Sequence, residues 1–380
     1  MYDIISYGWM IAFEQRTLAF ARALEANITP GAVVLDIGCG QGIMSLIACR
    51  AGARKVYAIE PDDVIQVARD AVADNGFSER IEFIQAFSTE IDLPEKVDGV
   101  VADLRGIMPL EGQSIVSVVD ARDRLLKPGG WIIPRRDTVW TALSCCPALH
   151  SSLINTWDTS FKFDFSQARA QCINSFRGTR LKPEDLITPA QQWAVLDYTQ
   201  IDNPSVSGKM SWRIDRDATA HGVAAWYDCD TADGFSFSNS PKMSAPHVFR
   251  HAFFPWPEVL ELKTDDRIEV TLRADYIHPD YVWSWNTLVK SGSGQERGRF
   301  NQSTFKGAQV SRDRLRKRER SFVPHPNDDL RVDRRALELM DRNLSLEDIA
   351  KALLAEFPTR LKDWNDALSR AGDLSEKYSR

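Results

Sequence analysis

The stretch Val33-Val34-Leu35-Asp36-Ile37-Gly38-Cys39-Gly40-Gln41-Gly42 decides the fold. An apolar run enters a glycine-rich turn and a helix-like run follows. The next apolar run, Lys55-Val56-Tyr57-Ala58-Ile59-Glu60, ends on an acid. That order predicts an open α/β sheet that holds a nucleoside at its strand ends. Gly38, Gly40 and Gly42 let the backbone approach a ligand with no Cβ in the way. Glu60 lies 22 residues after Gly38, where a carboxylate accepts both ribose hydroxyls. A dinucleotide fingerprint wants its third glycine at position 43, where this chain has Ile43. NAD is therefore disfavoured, and S-adenosylmethionine is the expected cofactor.

The rhythm continues outward from the turn. Strand patterns fall at 33–38, 55–60, 81–86, 97–102 and 131–134, and helix patterns at 43–51, 63–74 and 114–126. This alternation predicts a doubly wound, Rossmann-like parallel sheet with helices on both faces. Residues 4–27 read as one or two helices, with Met10, Phe13, Thr17, Phe20 and Leu24 at helical spacing. Lys127-Pro128-Gly129-Gly130 reads as a breaker before the last strand.

The texture changes after Pro134. Residues 137–300 carry short apolar runs, many aromatics and frequent turn residues. Ile268-Glu269-Val270-Thr271-Leu272 alternates apolar and polar, which predicts an antiparallel barrel or sandwich. A third unit begins near residue 305 with the basic run Arg312, Arg314, Arg316, Lys317, Arg318 and Arg320. Helix patterns follow at 332–341, 346–356 and 360–371. Ser345 with Asp348 resembles a capping box, and Pro358 is placed near the start of the last helix. The expected domains are thus 1–135, 136–304 and 305–380.

Composition bounds the function. The chain of 380 residues is 43% hydrophobic and 26% charged, in the globular range. A formal charge of −6 argues against bulk nucleic-acid binding. No apolar stretch approaches the roughly 20 residues of a membrane helix. Met1-Tyr2-Asp3 lacks the basic start of a signal peptide. The six cysteines form no Cys-x-x-Cys pair, so no metal site is expected and a reducing cytoplasm fits.

Several segments resemble the protein arginine methyltransferases. Met10 to Phe20, with Arg16, resembles that family's cofactor-covering helix. Leu35 to Ser45 resembles its first motif, and Ala51 to Glu60 its second. Leu93-Pro94 and Asp120 to Gly130, with Pro134, also match. The resemblance covers roughly residues 7–290. It implies a class I methyltransferase domain followed by a β-barrel, with substrate held between them. It also implies residue roles. Arg16 pairs with the cofactor's carboxylate, and Asp36 orients the turn or meets the cofactor's amino group. Gly38, Gly40 and Gly42 line the cofactor, Glu60 holds the ribose, and Phe87-Ser88-Thr89 falls beside adenine.

The acceptor loop departs from that family. There, two glutamates in a Ser-Glu-Trp-Met-Gly-type segment clamp the substrate guanidinium, which is charged up to a pKa above about 12 and is a poor nucleophile until oriented. Here the segment is Ala102-Asp103-Leu104-Arg105-Gly106-Ile107-Met108-Pro109-Leu110-Glu111-Gly112. Asp103 stands at the first acid, one methylene shorter. The second position falls on Gly112, with Glu111 one residue early. Arg105 either repels a guanidinium, binds a substrate anion, or pairs with Asp103. The family's closing histidine has its counterpart in His247, within Pro246 to Phe254. The aromatics Trp256, Tyr276, Tyr281, Trp283 and Trp285 read as barrel core.

The expectation is a methyltransferase that acts on a nitrogen, with oxygen second, of a peptide, protein or small guanidine or amine. Asp103, Glu111 and His247 are its catalytic candidates. The alternative is a non-catalytic cofactor-binding or regulatory protein on the same fold. The C-terminal unit resembles winged-helix modules like those of PqqD, which grip precursor peptides, and a homodimer is expected by analogy.

Overall fold

The computed structural model describes residues 3–157, 163–243 and 249–379. They form two compact units, Met1–Ala308 and Gln309–Arg380.

The first unit opens with two helices, α1 (Ile4–Ala12) and α2 (Glu14–Asn27), which part at Phe13. Then strands and helices alternate: β1 (Val33–Ile37), α3 (Ile43–Arg50), β2 (Lys55–Ile59), α4 (Ile65–Asp74), β3 (Ile81–Ile84), β4 (Val97–Ala102), α5 (Ser114–Asp120) and β5 (Leu126–Ile133). The strands are parallel, in the order β3-β2-β1-β4-β5. Every residue of β1 is buried, as expected of a central strand covered on both faces. Connections leave β1 in opposite directions toward β2 and β4, and this reversal opens a crevice at the strands' C-terminal ends. Ile37 pairs with Ile59 on one side and Ala102 on the other. The residues that follow, Gly38, Glu60 and Asp103, therefore leave the sheet level with one another.

The sequence breaker at 127–130 does not precede the last strand. It lies inside β5 as an irregularity, where the pairing jumps from Val97↔Leu126 to Gly99↔Trp131. A Cβ at Gly99 would overlap the Trp131 indole, so the bulge and the glycine go together.

The chain then enters an antiparallel domain. Its strands are β6 (Arg136–Ser144), β7 (Arg177–Thr179), β8 (Gln191–Asp197), β9 (Val206–Arg213), β10 (Ala218–Ala232), β11 (Phe235–Ser238), β12 (His251–Leu262), β13 (Arg267–Ile277), β14 (Asp280–Lys290) and β15 (Glu296–Ser303). One sheet runs β7-β12-β10-β6-β8 with β11 on β10, and the other runs β15-β14-β13-β9. Their inner faces enclose Trp256, Trp283 and Trp285, which are core residues as expected. Two helices, α6 (Pro147–Ile154) and α7 (Ser166–Ile173), interrupt the strands, α6 with Pro147 at its first turn. A short α8 (Thr304–Gly307) ends the unit.

The main apolar core runs through both halves of this unit, with a smaller cluster under α6 around Leu153, Trp226 and Phe253. Phe13 and Phe20 of the opening helices pack on Phe237 of β11, with centroids 6.2 and 6.0 Å apart. Thr231 Oγ1 donates to the Ala19 carbonyl at 3.0 Å. The opening helices are thus fixed to the barrel as well as to the sheet.

The second unit is helical: α9 (Arg312–Arg316), α10 (Asp328–Met340), α11 (Leu346–Glu356) and α12 (Trp364–Tyr378). Among its described residues there is no strand, so no wing accompanies the helices. Val332, Leu339, Ile349 and Leu353 anchor its own core. Ser345 caps α11 by accepting from Asp348 N at 3.2 Å. Pro358 falls in a turn before α12 rather than in it, and the cap there is Asp363, accepting from Asp366 N at 2.9 Å.

Candidate active site

A cavity of about 390 Å3 lies over the level ends of β1, β2 and β4, within the range usual for ligand sites. Its lining includes Arg16, Asp36, Gly38, Gly40, Glu60, Phe87, Ser88, Asp103 and Glu111.

At one end the turn after β1 passes through left-handed backbone at Gly38 and Gly40, with φ +68° and +51°. A Cβ on Gly38 would overlap Leu104, and one on Gly40 would come within 2.7 Å of the Tyr7 ring. Tyr7 belongs to α1, so the opening helix closes directly over the turn. Gly42 does not line the cavity. With φ +85° it starts α3, and its missing Cβ leaves room for Ala68, 3.1 Å away. Here the missing Cβ serves the packing of α3 against α4.

Glu60 is buried and oriented by two backbone donors. Gly40 N donates to Oε2 at 3.0 Å and Asp62 N to Oε1 at 3.1 Å. Burial raises its carboxyl, and these bonds partly oppose that rise. Each oxygen keeps acceptor capacity for a hydroxyl. Ser88 is 2% exposed, and its Oγ has no partner among the described residues. A buried hydroxyl left open at a cavity wall is a ready contact for a ligand. Phe87 beside it is exposed and offers a ring face.

Asp36 is buried beneath the turn. Burial lifts its carboxyl to about 7, against the hydrogen bond from Ser45 Oγ at 2.6 Å, and the charges of Glu60 and Asp103 add to the rise.

At the other end stands an ionic chain. Arg16 Nε donates to Asp103 Oδ2 at 2.6 Å, and its Nη1 to the Met10 carbonyl at 3.2 Å. Arg105 Nη1 donates to Asp103 Oδ1 at 2.5 Å. Arg105 then reaches Asp137 of β6 through Nε and Nη2, at 3.1 and 3.2 Å. Tyr198 OH completes the chain on Asp137 Oδ2 at 2.5 Å. Phe20, Tyr227 and Phe237 surround the Arg105 guanidinium at 5.9, 6.0 and 5.8 Å. Of the readings open for Arg105, the geometry selects the pairing with Asp103. The side chain is 5% exposed and ties the sheet half to the barrel half.

This arrangement bears on Asp103. Burial pushes its carboxyl up, but the Arg16 and Arg105 charges and their hydrogen bonds more than offset that, leaving it lowered. With both oxygens engaged and a lowered proton affinity, Asp103 suits positioning better than proton removal. Glu111 differs. Its carboxyl lies over Gly106, where a Cβ would overlap Oε2. Shielding from water and repulsion from Asp280 raise it. Glu111 is thus the acid at the acceptor end with the greater proton affinity.

His247 lies outside the described residues. The nearby His251 is structural: its Nδ1 accepts from Leu181 N at 2.8 Å, and its Nε2 donates to the Asn239 carbonyl at 2.7 Å. Tyr7, Asp137, Tyr198 and Asp280 were not singled out from sequence. Only Tyr7 left a signal there, three residues before Met10 on the same helix.

Two family comparisons divide the first unit as the fold does. Residues 16–134 match the family described as ribosomal protein L11 methyltransferase (PrmA). Residues 136–286 match the arginine methyltransferase oligomerization subdomain. The chain is 29% identical over 232 residues to probable protein arginine N-methyltransferase 6 of Arabidopsis thaliana, covering 58% of this chain and 53% of that protein. It is 28% identical over 319 residues to protein arginine N-methyltransferase 6 of Xenopus laevis, covering 80% and 93%. Among solved structures, the Trypanosoma brucei PRMT1 enzyme-prozyme heterotetrameric complex with AdoHcy superposes with a TM-score of 0.70 at 23% identity, covering 78% of this chain and 96% of that one. Arabidopsis thaliana protein arginine methyltransferase 10 gives 0.68 at 21% identity, covering 79% and 97%. The expected pairing of a Rossmann-like domain with an antiparallel barrel is therefore the fold of this chain.

Proposed function

We propose that this chain, similar to the protein arginine methyltransferases in both halves of its first unit, is an S-adenosylmethionine-dependent methyltransferase that acts on a nitrogen of a peptide or protein acceptor, arginine first. The observation that carries this is the shared cavity. A nucleoside-sized end with Gly38, Gly40, Glu60 and Ser88 opens onto an acceptor end with Glu111.

The residues present fit the cofactor. Glu60 would hold the ribose hydroxyls, Ser88 and Phe87 the adenine, and Arg16 the carboxylate, with Asp36 near the amino group. Bound there, S-adenosylmethionine supplies a methyl group made electrophilic by its positive sulfur. The protein supplies position and charge. Asp103 would fix Arg16 against the cofactor end. Glu111 would hold a cationic acceptor and take up the proton that its nitrogen loses.

Finer points belong to the same proposal. A homodimer is supported by the oligomerization subdomain matched over 136–286. The helical unit carries a groove lined by Leu330, Arg331, Arg334, Arg335 and Phe357 together with Asp328 and Glu338, which suits a peptide segment such as that of a precursor peptide. Six free cysteines suit a reducing cytoplasm.

The test is calorimetric titration with S-adenosylhomocysteine, followed by an acceptor screen with arginine peptides, free arginine and amines. Micromolar binding lost in Glu60→Ala, with methyl transfer to one acceptor class, supports the proposal. A folded wild type that binds no S-adenosylhomocysteine overturns it. Binding without transfer to any acceptor favours the non-catalytic reading, to which the double engagement of Asp103 gives its own support.

A further inference from the structure

We propose that Asp280 is a positioning residue of the acceptor site: from the barrel it holds the loop that carries Glu111 and sets a second negative charge before that carboxylate, so that the site selects a cationic nitrogen. This rests on the reading of the cavity as a methyltransferase site.

The relevant contact joins residues far apart in sequence. Gly112 N donates to Asp280 Oδ1 at 2.9 Å. Gly112 immediately follows Glu111 and has left-handed backbone, φ +51°. A tight turn there needs its N–H directed and held, and the partner comes from the β13–β14 hairpin. The hairpin is a firm support. Its strands pair without a break from Arg267↔Lys290 to Ile277↔Asp280. Tyr276 and Tyr281 stack edge to face at 5.3 Å, and Tyr276 N donates to Ser205 Oγ at 3.0 Å. Tyr281 N also donates to Asp280 Oδ1, at 2.8 Å. Asp280 Oδ2 has no partner among the described residues, so the carboxylate is oriented by one oxygen and open at the other.

The charges around Glu111 do not balance. From the hairpin it faces Asp280, whose repulsion adds to burial in raising its proton affinity, while a backbone hydrogen bond from Ile107 and the positive charge of the chain's amino group oppose that rise. The other described charges on the acceptor side are Asp103, from the end of β4, and Arg16, from α2, which are paired with each other. Arg105 is turned into the interior and serves Asp103 and Asp137. Among the described residues, the Glu111 and Asp280 carboxylates therefore face each other with no side-chain cation paired to Glu111. A guanidinium or ammonium relieves their repulsion, whereas a neutral amide or hydroxyl leaves it. The slipped second acid of the loop is thereby given a partner from the barrel.

Two substitutions separate the roles. Asp280→Asn keeps an oxygen for Gly112 N and removes the charge, while Asp280→Ala removes both. With an arginine peptide, the acid limb of the Asp280→Asn pH–rate profile should move to lower pH, because Glu111 then ionises more readily. Its KM should rise several-fold while the high-pH kcat stays within about threefold. Asp280→Ala should lose about tenfold or more in kcat/KM through loss of loop position. Calorimetry of the same peptide with S-adenosylhomocysteine present, in buffers of different ionisation heat, gives a readout independent of turnover. The wild type should release protons on binding the peptide, and Asp280→Asn fewer. An active wild type with an unshifted Asp280→Asn profile and equal proton release sinks the proposal alone. A wild type that neither binds S-adenosylhomocysteine nor methylates any acceptor sinks the site reading, and this proposal with it.

Discussion

The Glu111 carboxyl rests directly over the Cα of Gly106, in space that any side chain at 106 would occupy. Five residues apart on one loop, the two positions fit only as a pair. Gly106→Ala should expel the carboxyl from its seat, and a displacement of about 1 Å can cost on the order of 100-fold in rate. We expect kcat/KM on an arginine peptide to fall by that order, while S-adenosylhomocysteine binding, made at the other end of the cavity, changes little. Glu111→Gln should reproduce the kinetic loss. An Ala variant with wild-type kcat/KM removes Glu111 from the acceptor site.

The cofactor end gives an independent prediction. Glu60 is oriented by Gly40 N and Asp62 N and would meet two hydroxyls. Hydrogen bonds to a charged group contribute about 1.5–3 kcal/mol, so Glu60→Ala should weaken S-adenosylhomocysteine by roughly 10- to 100-fold. Ser88→Ala, which removes a hydroxyl with no protein partner, should weaken binding less and leave the melting temperature unchanged. Lower stability in Ser88→Ala would mean that the hydroxyl serves the fold instead.

Asp36 supplies the pH dependence. Its carboxyl is held at about 7 in the fold, against 3.8 as the ordinary value, first because it is buried. The folded chain therefore binds this proton more tightly than the unfolded chain does. The resulting stabilisation is complete below the ordinary value and is lost as pH rises through the folded one. The melting temperature of the ligand-free chain should fall between about pH 4 and pH 7 and level off above, and Asp36→Asn should flatten that fall. Parallel slopes in the two proteins would assign the dependence to another group.

The cofactor half was legible because its signals are local and periodic. Parallel strands of similar length bring Gly38, Glu60 and Asp103 to one edge, and the register Ile37↔Ile59 and Ile37↔Ala102 follows from that regularity. Arg16 was legible from its helix. Less of the acceptor half could be read. Asp137 lies 32 residues from Arg105 and Asp280 lies 168 from Gly112, in a barrel whose alternation gives its strands but not which strand end meets which loop. That the space beside Gly42 is taken up by Ala68 was not legible, because a glycine in a motif carries no mark of which neighbour needs its space. The breaker at 127–130 misled because a proline and two glycines also fit a bulge within a strand.

Arg105 provides the last test, because its role is to join two halves. Its guanidinium is buried between Asp103 and Asp137 and engages both with a planar fork. Removing one member of a buried ionic set leaves its partners uncompensated, at a cost of about 3–5 kcal/mol. Arg105→Met should destabilise the chain by that order in urea unfolding. Arg105→Lys should rescue little, since one ammonium does not span two carboxylates in this geometry. Adding Asp137→Asn to Arg105→Met should recover part of the loss, because the unpaired charge in the barrel is then gone. A double-mutant cycle measures that coupling. Strict additivity would mean that the two residues do not act together, and the barrel would have to be held to the sheet mainly by the apolar contacts of Phe13 and Phe20 with Phe237.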